Sequence, residues 1–288
     1  MVGALASALL CERLGTPAVL GGTSWERRAI DPRPGPRTID EVLGASPLGT
    51  GVLLADRDTR TAEGVLFAES RMAALRGQTT VLVDPSPGPA GVADGLESAC
   101  DQLDADLLVL VDVGGDVLAA GSEPGLASPL CDAVLLAAGV HLQRRGRRVI
   151  AAVFGPCCDG ELTIDELIDR LARVAGAGGL IGVEGMTAAV ADELGRACAV
   201  VPTEASAQAV RCARGEIGIT QIRGGRRQAT LSPLGALTFY VDPALAAASG
   251  APLAQAVLDA GDLEEANEVL HRLGIRTELD YERSMAEG

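Results

Sequence analysis

The chain has 288 residues, with 39 acidic side chains against 24 basic ones, two histidines and a formal charge of −15. Every basic residue is an arginine, so Schiff-base chemistry, a pyridoxal-phosphate anchor and a P-loop lysine are excluded. His141 and His271 alone leave almost no room for a multi-histidine zinc site, and the negative balance argues against nucleic acid as a partner.

Residues 1–10 are apolar and run into Cys11, but they lack a positive n-region. Leu10 also stands where a lipoprotein signal needs a small residue. Residues 2–14 read instead as a helix, stopped by Gly15 with Pro17 beyond. A short strand over 18–20 precedes Gly21-Gly22, and the proline-rich stretch 31–37 is a stiff loop. Thr38 caps a short helix over 39–43, with Glu41 placed for a capping box. Strands follow at 51–55, reaching Asp56, and at 79–83, reaching Asp84; a Pro/Gly loop then leads into a helix ending near 103. The strand 107–111 ends at Asp112, and Ser128-Pro129 opens a helix to about 143. A strand at 149–154, a helix at 163–174 and strands at 180–183 and 199–201 around a helix at 187–197 complete the alternation.

The C-terminal part changes character. Strands 218–222 and 228–231 flank the turn 223–227; a strand at 236–241 and helices at 243–248, 253–260 and 263–273 follow. Short apolar runs separated by helices point to buried parallel strands. The expected fold is therefore α/β: a Rossmann-like, mostly parallel sheet with helices on both faces, and a C-terminal hairpin plus helical segment. A single domain over 1–288 is expected, with 1–215 as the core and 216–288 as the hairpin and helices. The residues are 48% hydrophobic but only 2% aromatic, so Ala, Val, Leu and Ile must build the core. Seven cysteines, mostly in apolar surroundings, fit a reduced, cytoplasmic compartment. The longest apolar runs, such as 133–140, are too short for a membrane span, so no membrane partner is expected.

In an open α/β sheet, ligands bind beyond the carboxyl ends of the strands. Acids recur there: Asp56, Asp84, Asp112, Asp159, Glu161 and Glu184. The richest stretch is Asp112-Val113-Gly114-Gly115-Asp116, with Glu123 downstream. Gly114 and Gly115 allow a sharp turn and close approach to a ligand. Asp112 and Asp116 suit a hard divalent cation such as Mg2+ or Mn2+, and Asp116 or Glu123 suits acid/base work. The same acids could instead meet ribose hydroxyls or an ammonium group, or simply cap the following helices. Arg33 and Arg37, on the proline-stiffened loop, are placed to hold an anionic group, and Asp159 and Glu161 to contact the ligand. The 143–148 run and the 223–227 turn read as solvated arginines, with a grip on an anionic substrate as the lesser alternative for the turn. Cys157-Cys158 enters a helix but has no base close in sequence, which weakens a nucleophilic cysteine.

Trp25-Glu26-Arg27, the 31–37 loop, the Asp112–Asp116 stretch with Glu123 and Ser128-Pro129-Leu130, Asp159-Gly160-Glu161-Leu162 and the 270–283 tail together resemble the family called domain of unknown function 1152. The resemblance covers nearly the whole chain. It implies a Rossmann-like α/β protein whose acid and glycine motifs form the site. It also implies a strand and a glycine-rich loop ending in Asp ahead of the Val2-Gly3-Ala4-Leu5 helix. This chain begins at Met1, so an uncovered sheet edge is expected there. The leading functional expectation is a small-molecule hydrolase or transferase, with a non-catalytic ligand-binding or regulatory protein, in a homo-oligomer or not, as the alternative. Hydride transfer ranks third, because no G-x-G-x-x-G follows a strand.

Overall fold

A computed structural model describes residues 1–286. The chain opens with α1 (Val2–Arg13), then β1 (Gly21–Thr23), the antiparallel β2 (Val42–Gly49) and β3 (Val52–Thr61), α2 (Ala68–Arg76), β4 (Thr80–Val83) and α3 (Gly88–Gln102). Next come β5 (Leu108–Val113), α4 (Pro129–Arg144), β6 (Val149–Phe154), α5 (Ile164–Gly176), β7 (Leu180–Gly185), α6 (Ala188–Cys198) and α7 (Ala205–Ala213). The hairpin β8 (Gly218–Ile222) and β9 (Arg227–Leu231) leads to β10 (Leu237–Val241). The chain then closes with α8 (Pro243–Ser249), α9 (Pro252–Ala256), α10 (Leu263–Arg272) and α11 (Glu278–Ala286).

The mixed α/β class is as expected, but a single, mostly parallel sheet is not found. The strands form two four-stranded mixed sheets, ordered β1-β4-β3-β2 and β5-β6-β10-β7, with β8-β9 apart. Among the described residues only β1–β4 and β5–β6 pair in parallel; β2–β3, β3–β4, β10–β6 and β10–β7 are antiparallel. The reason is that a continuous apolar run reports burial and not direction. Thus Leu237–Val241, which follows the hairpin, returns between β6 and β7 and runs against both. Likewise the tight turn at Gly51, with φ +69°, folds β3 back on β2, where a helix over 39–43 was expected. There the capping box does form, with Thr38 donating to Glu41, but it closes only a 3-10 turn before β2. Residues 199–201 leave α6 without forming a strand, while α2, α7 and α11 were not anticipated.

The core is aliphatic. Helix α4 buries Leu130, Ala133, Val134, Leu136, Ala137, Ala138, Val140 and Leu142, more than one face, because α3, α8 and α9 pack around it as well as the sheet. It approaches β5 closely: a Cβ on Gly139 would lie 2.6 Å from the side chain of Leu110. Among the described residues β1 pairs only with β4 and β5 only with β6, so each is a sheet edge, and all six residues of β5 are half-buried. Helix α1 lies against β5, with Gly3 at the contact with Val113. No described helix is long and apolar enough to cross a membrane.

Candidate functional site

Strand β5 delivers Asp112 to its carboxyl end, where Gly114 (φ +124°) and Gly115 (φ +111°) turn the chain through conformations that favour glycine. The Gly115 amide donates to the Asp112 carboxylate at 2.8 Å, and the Cys157 amide donates to the Gly114 carbonyl at 2.7 Å, tying this turn to the loop after β6. Gly114 is also required by space, since a Cβ there would meet the Asp159 carboxyl carbon at 2.1 Å. Asp116 follows at the start of a 3-10 turn, and Asp132 projects from the first turn of α4. Asp159 and Glu161 come from the loop after β6. Gly160 between them lies so close to the Gln228 carbonyl of β9 that a Cβ would sit 2.2 Å from it.

These elements bring five carboxylates together. Single oxygens of Asp112, Asp116 and Asp132 lie within 4.8 Å of one another, as do oxygens of Asp116, Asp159 and Glu161, so Asp116 is common to both groups. Their hydrogen bonding is unequal. Glu161 is saturated: it accepts from the Ala127 and Ser128 amides at 2.7 and 2.9 Å, from the Ser128 hydroxyl, and from Arg227 at 2.6 Å. Burial alone would raise its pKa, but Arg227, Ser128 and the Ala127 amide outweigh that and hold it below the usual range. Asp159 is the opposite case. It is 4% exposed, and neither carboxylate oxygen has a partner among the described residues. Burial, with Glu161 repelling it, pushes Asp159 up to about 7. Burial, then Glu278, pushes Asp132 up to about 7 as well. Asp112 and Asp116 are raised well above the ordinary range, first by burial and then by their carboxylate neighbours. A lone buried carboxylate costs several kcal/mol unless something compensates it.

Arginines stand beside the acids. Arg227 pairs with Glu161 and also donates to the Asp159 carbonyl at 3.3 Å. Arg27 lies 4.0 Å from Glu278, and its charge is supported by Glu278, Asp132 and Glu161. Glu278, the first residue of α11, accepts from the Leu130 and Cys131 amides at 3.1 and 2.9 Å, and so caps α4 from a distant helix.

Several anticipated residues take other positions. Glu123 accepts from the Ala120 and Gly121 amides, both at 2.8 Å, closing its own loop with one oxygen 4.0 Å from Arg170. Arg37 is buried in a two-bond contact with Asp31, at 2.6 and 2.8 Å, and Arg33 pairs with Glu41. The proline loop is held instead to α11, where Glu282 accepts from Trp25 Nε1 and the Gly35 amide, each at 2.9 Å. Asp84 accepts from the Ser86 amide, while Asp56 binds its own turn in the middle of β3 and not at a strand end. Cys157 and Cys158 are buried, and burial pushes the Cys157 thiol up to about 12. Surface grooves by Pro34, Asp262 and Arg283, and by Arg57, Arg71 and Val200, include none of the five carboxylates.

Of the five clustered acids, Asp112, Asp116, Asp159 and Glu161 are ones the sequence pattern marks, whereas Asp132, and Arg27 and Glu278 beside it, are not. An acid in a helix's first turn is ordinary, and only the Ser128-Pro129 start marked where Asp132 would point.

A family model described as Protein of unknown function (DUF1152) matches residues 1–286, and the chain belongs to that family, the one its motifs resemble. No curated protein and no solved structure matches the chain.

Proposed function

We propose that this member of the DUF1152 family is a small-molecule hydrolase or transferase that holds a hard divalent cation, Mg2+ or Mn2+, through Asp112, Asp116 and Asp132, with Asp159 beside them. The observation that carries the reading is Asp159: a buried carboxylate with two oxygens unpartnered among the described residues, next to three further acids raised first by burial and then by neighbouring carboxylates. A divalent cation compensates that charge, and oxygen ligands from carboxylates are the donors Mg2+ and Mn2+ prefer. Glu161 contributes by holding the loop, since Ser128, Arg227 and two amides already occupy its lone pairs.

The turn at Gly114 and Gly115 brings Asp112 and Asp116 together where the cation would sit. In this arrangement the cation would polarise a substrate oxygen or acidify a bound water. Asp159, next to Asp116, is the carboxylate placed to accept a proton. Glu123, Arg33 and Arg37 have no part in this proposal, because each is engaged elsewhere.

Thermal unfolding with Mg2+ or Mn2+ tests the proposal. The wild type is expected to rise in Tm with either cation, and Asp112→Ala/Asp116→Ala to lose the response. Equal shifts in both proteins would contradict the cation site. A specific shift with no turnover across phosphate esters, anhydrides and amides would favour a binding or regulatory protein using the same residues.

A further inference from the structure

Two of the seven cysteines meet inside the molecule. Cys158 lies in the loop after β6, directly before Asp159, and Cys212 lies in the last turn of α7. Their sulfurs are 4.0 Å apart, with Cys158 fully buried and Cys212 5% exposed. The contact belongs to a wider seam between the loop and the helix. A Cβ on Gly155 would lie 2.9 Å from that of Ala209, which is one helical turn from Cys212. From the other side Gly235, in the 3-10 turn Pro233–Ala236, closes over both thiols. A Cβ there would lie 2.6 Å from Cys212 Sγ and 2.8 Å from Cys158 Sγ. We infer that Cys158 and Cys212 are a reversible oxidation site, at which hydrogen peroxide converts the two thiols into a disulfide that ties the Asp159–Glu161 loop to α7.

The surroundings assign the two roles. Cys212 is the less deeply buried thiol. Cys158 donates to it, and with the Ser232 amide and Arg211 this outweighs burial and holds Cys212 down to about 7. Cys212 is therefore the thiolate that attacks peroxide. A sulfur–oxygen bond forms, the O–O bond breaks, and the departing hydroxide takes up a proton, leaving a sulfenic acid on Cys212 and one water. The Cys158 sulfur then attacks the Cys212 sulfur. The S–S bond forms, the S–O bond breaks, and hydroxide leaves with the Cys158 proton as a second water. The two thiols lose two electrons in all, and these reduce the peroxide to the two waters. Sulfurs in a disulfide are about 2 Å apart, so closure from the 4.0 Å contact needs an approach of only about 2 Å.

The bond reaches the carboxylates, a consequence that rests on the cation reading above. Asp159 follows Cys158 directly and is held against Gly114. The Cys157 amide donates to the Gly114 carbonyl at 2.7 Å, and Cys157 itself sits at φ +62°, a left-handed conformation uncommon for a residue with a Cβ. Drawing Cys158 toward α7 therefore pulls on the turn that places Asp112 and Asp116, and weakens Mg2+ binding.

Thiol counting and peptide mapping of the full chain after exposure to hydrogen peroxide test the oxidation site, and Mg2+ titration of the same samples reads its consequence. The seven free thiols of the reduced protein are expected to fall by two, with Cys158 and Cys212 in one cross-linked peptide and dithiothreitol reversing the change. Under the same dose Cys212→Ala should keep its remaining thiols, whereas Cys100→Ala, altered on α3, should lose two as wild type does. Mg2+ affinity should fall about fivefold or more on oxidation and return on reduction. Intact thiols in wild type, a cross-link through Cys157, or the same loss of two thiols in Cys212→Ala would each overturn the oxidation site, whatever Mg2+ does. A Cys158–Cys212 bond that leaves Mg2+ affinity unchanged would overturn its effect on the carboxylates. Reduced wild type that binds no Mg2+ would remove the cation reading and that effect with it, while the thiol count decides the oxidation site by itself.

Discussion

Asp159 and Glu161 show how two carboxylates two residues apart acquire opposite characters. Glu161 meets two amides, a hydroxyl and a guanidinium, while the Asp159 carboxylate, held against Gly114, has no hydrogen-bond partner among the described residues. Asp159→Asn is therefore expected to stabilise the cation-free protein by roughly 1–3 kcal/mol in urea unfolding, because it removes an uncompensated buried charge. The same change should abolish the gain from Mg2+. A destabilised Asp159→Asn protein would argue that the carboxylate is already compensated. Gly114→Ala should cost stability by about 1–3 kcal/mol from φ +124° alone, and more through the clash with Asp159. The Asp-x-Gly-Gly-Asp turn is legible in the sequence because strand, glycine pair and acids are contiguous. Asp132 and Arg27 are not, because their partners are supplied from far along the chain. Read locally, each is an ordinary helix-start acid or solvated arginine.

At the scale of elements, α11 has the widest reach. It caps α4 through Glu278, and Glu282 ties it to the proline loop. Its first turn is organised by Asp280, which accepts from the Thr277 amide and hydroxyl, Asn267 and His271. Burial would raise the Asp280 carboxyl, but the Thr277 amide, His271 and Asn267 outweigh it and lower it to about 2. A carboxyl lowered on folding contributes stability that is fully present above its unfolded pKa of about 4 and is lost as pH falls through about 2. Asp280→Ala should thus cost about 1–2 kcal/mol at neutral pH. The gap from wild type should close between pH 4 and 2, as read by urea unfolding at each pH. A gap independent of pH would contradict this. Glu278→Ala should loosen α11 and leave the α4 amides open, exposing the C-terminal segment to limited proteolysis. Identical digestion of variant and wild type would contradict that role. This helix is hard to see in the sequence, since a nine-residue segment with acids and an arginine has little apolar periodicity.

Across the whole molecule, secondary structure was more legible than topology. The runs at β5, β6, β7 and β10 are apolar because they are buried, but nothing in a five-residue run records its neighbour or direction. The two sheets follow from long-range choices, above all the antiparallel entry of β10 between β6 and β7. The net charge of −15 weighs, as a property of the whole chain, against nucleic acid as a partner. Part of it is gathered inside, at the carboxyl ends of β5 and β6 and the start of α4, where Arg227 pairs with Glu161 and Arg27 stands by Glu278. In the proposed function a divalent cation completes this internal excess of negative charge. Mn2+ titration followed by the electron paramagnetic resonance of the free ion tests it most directly. Saturable binding by wild type, lost in Asp112→Asn/Asp116→Asn, is the predicted result; no saturable binding, or equal binding by the variant, would contradict it.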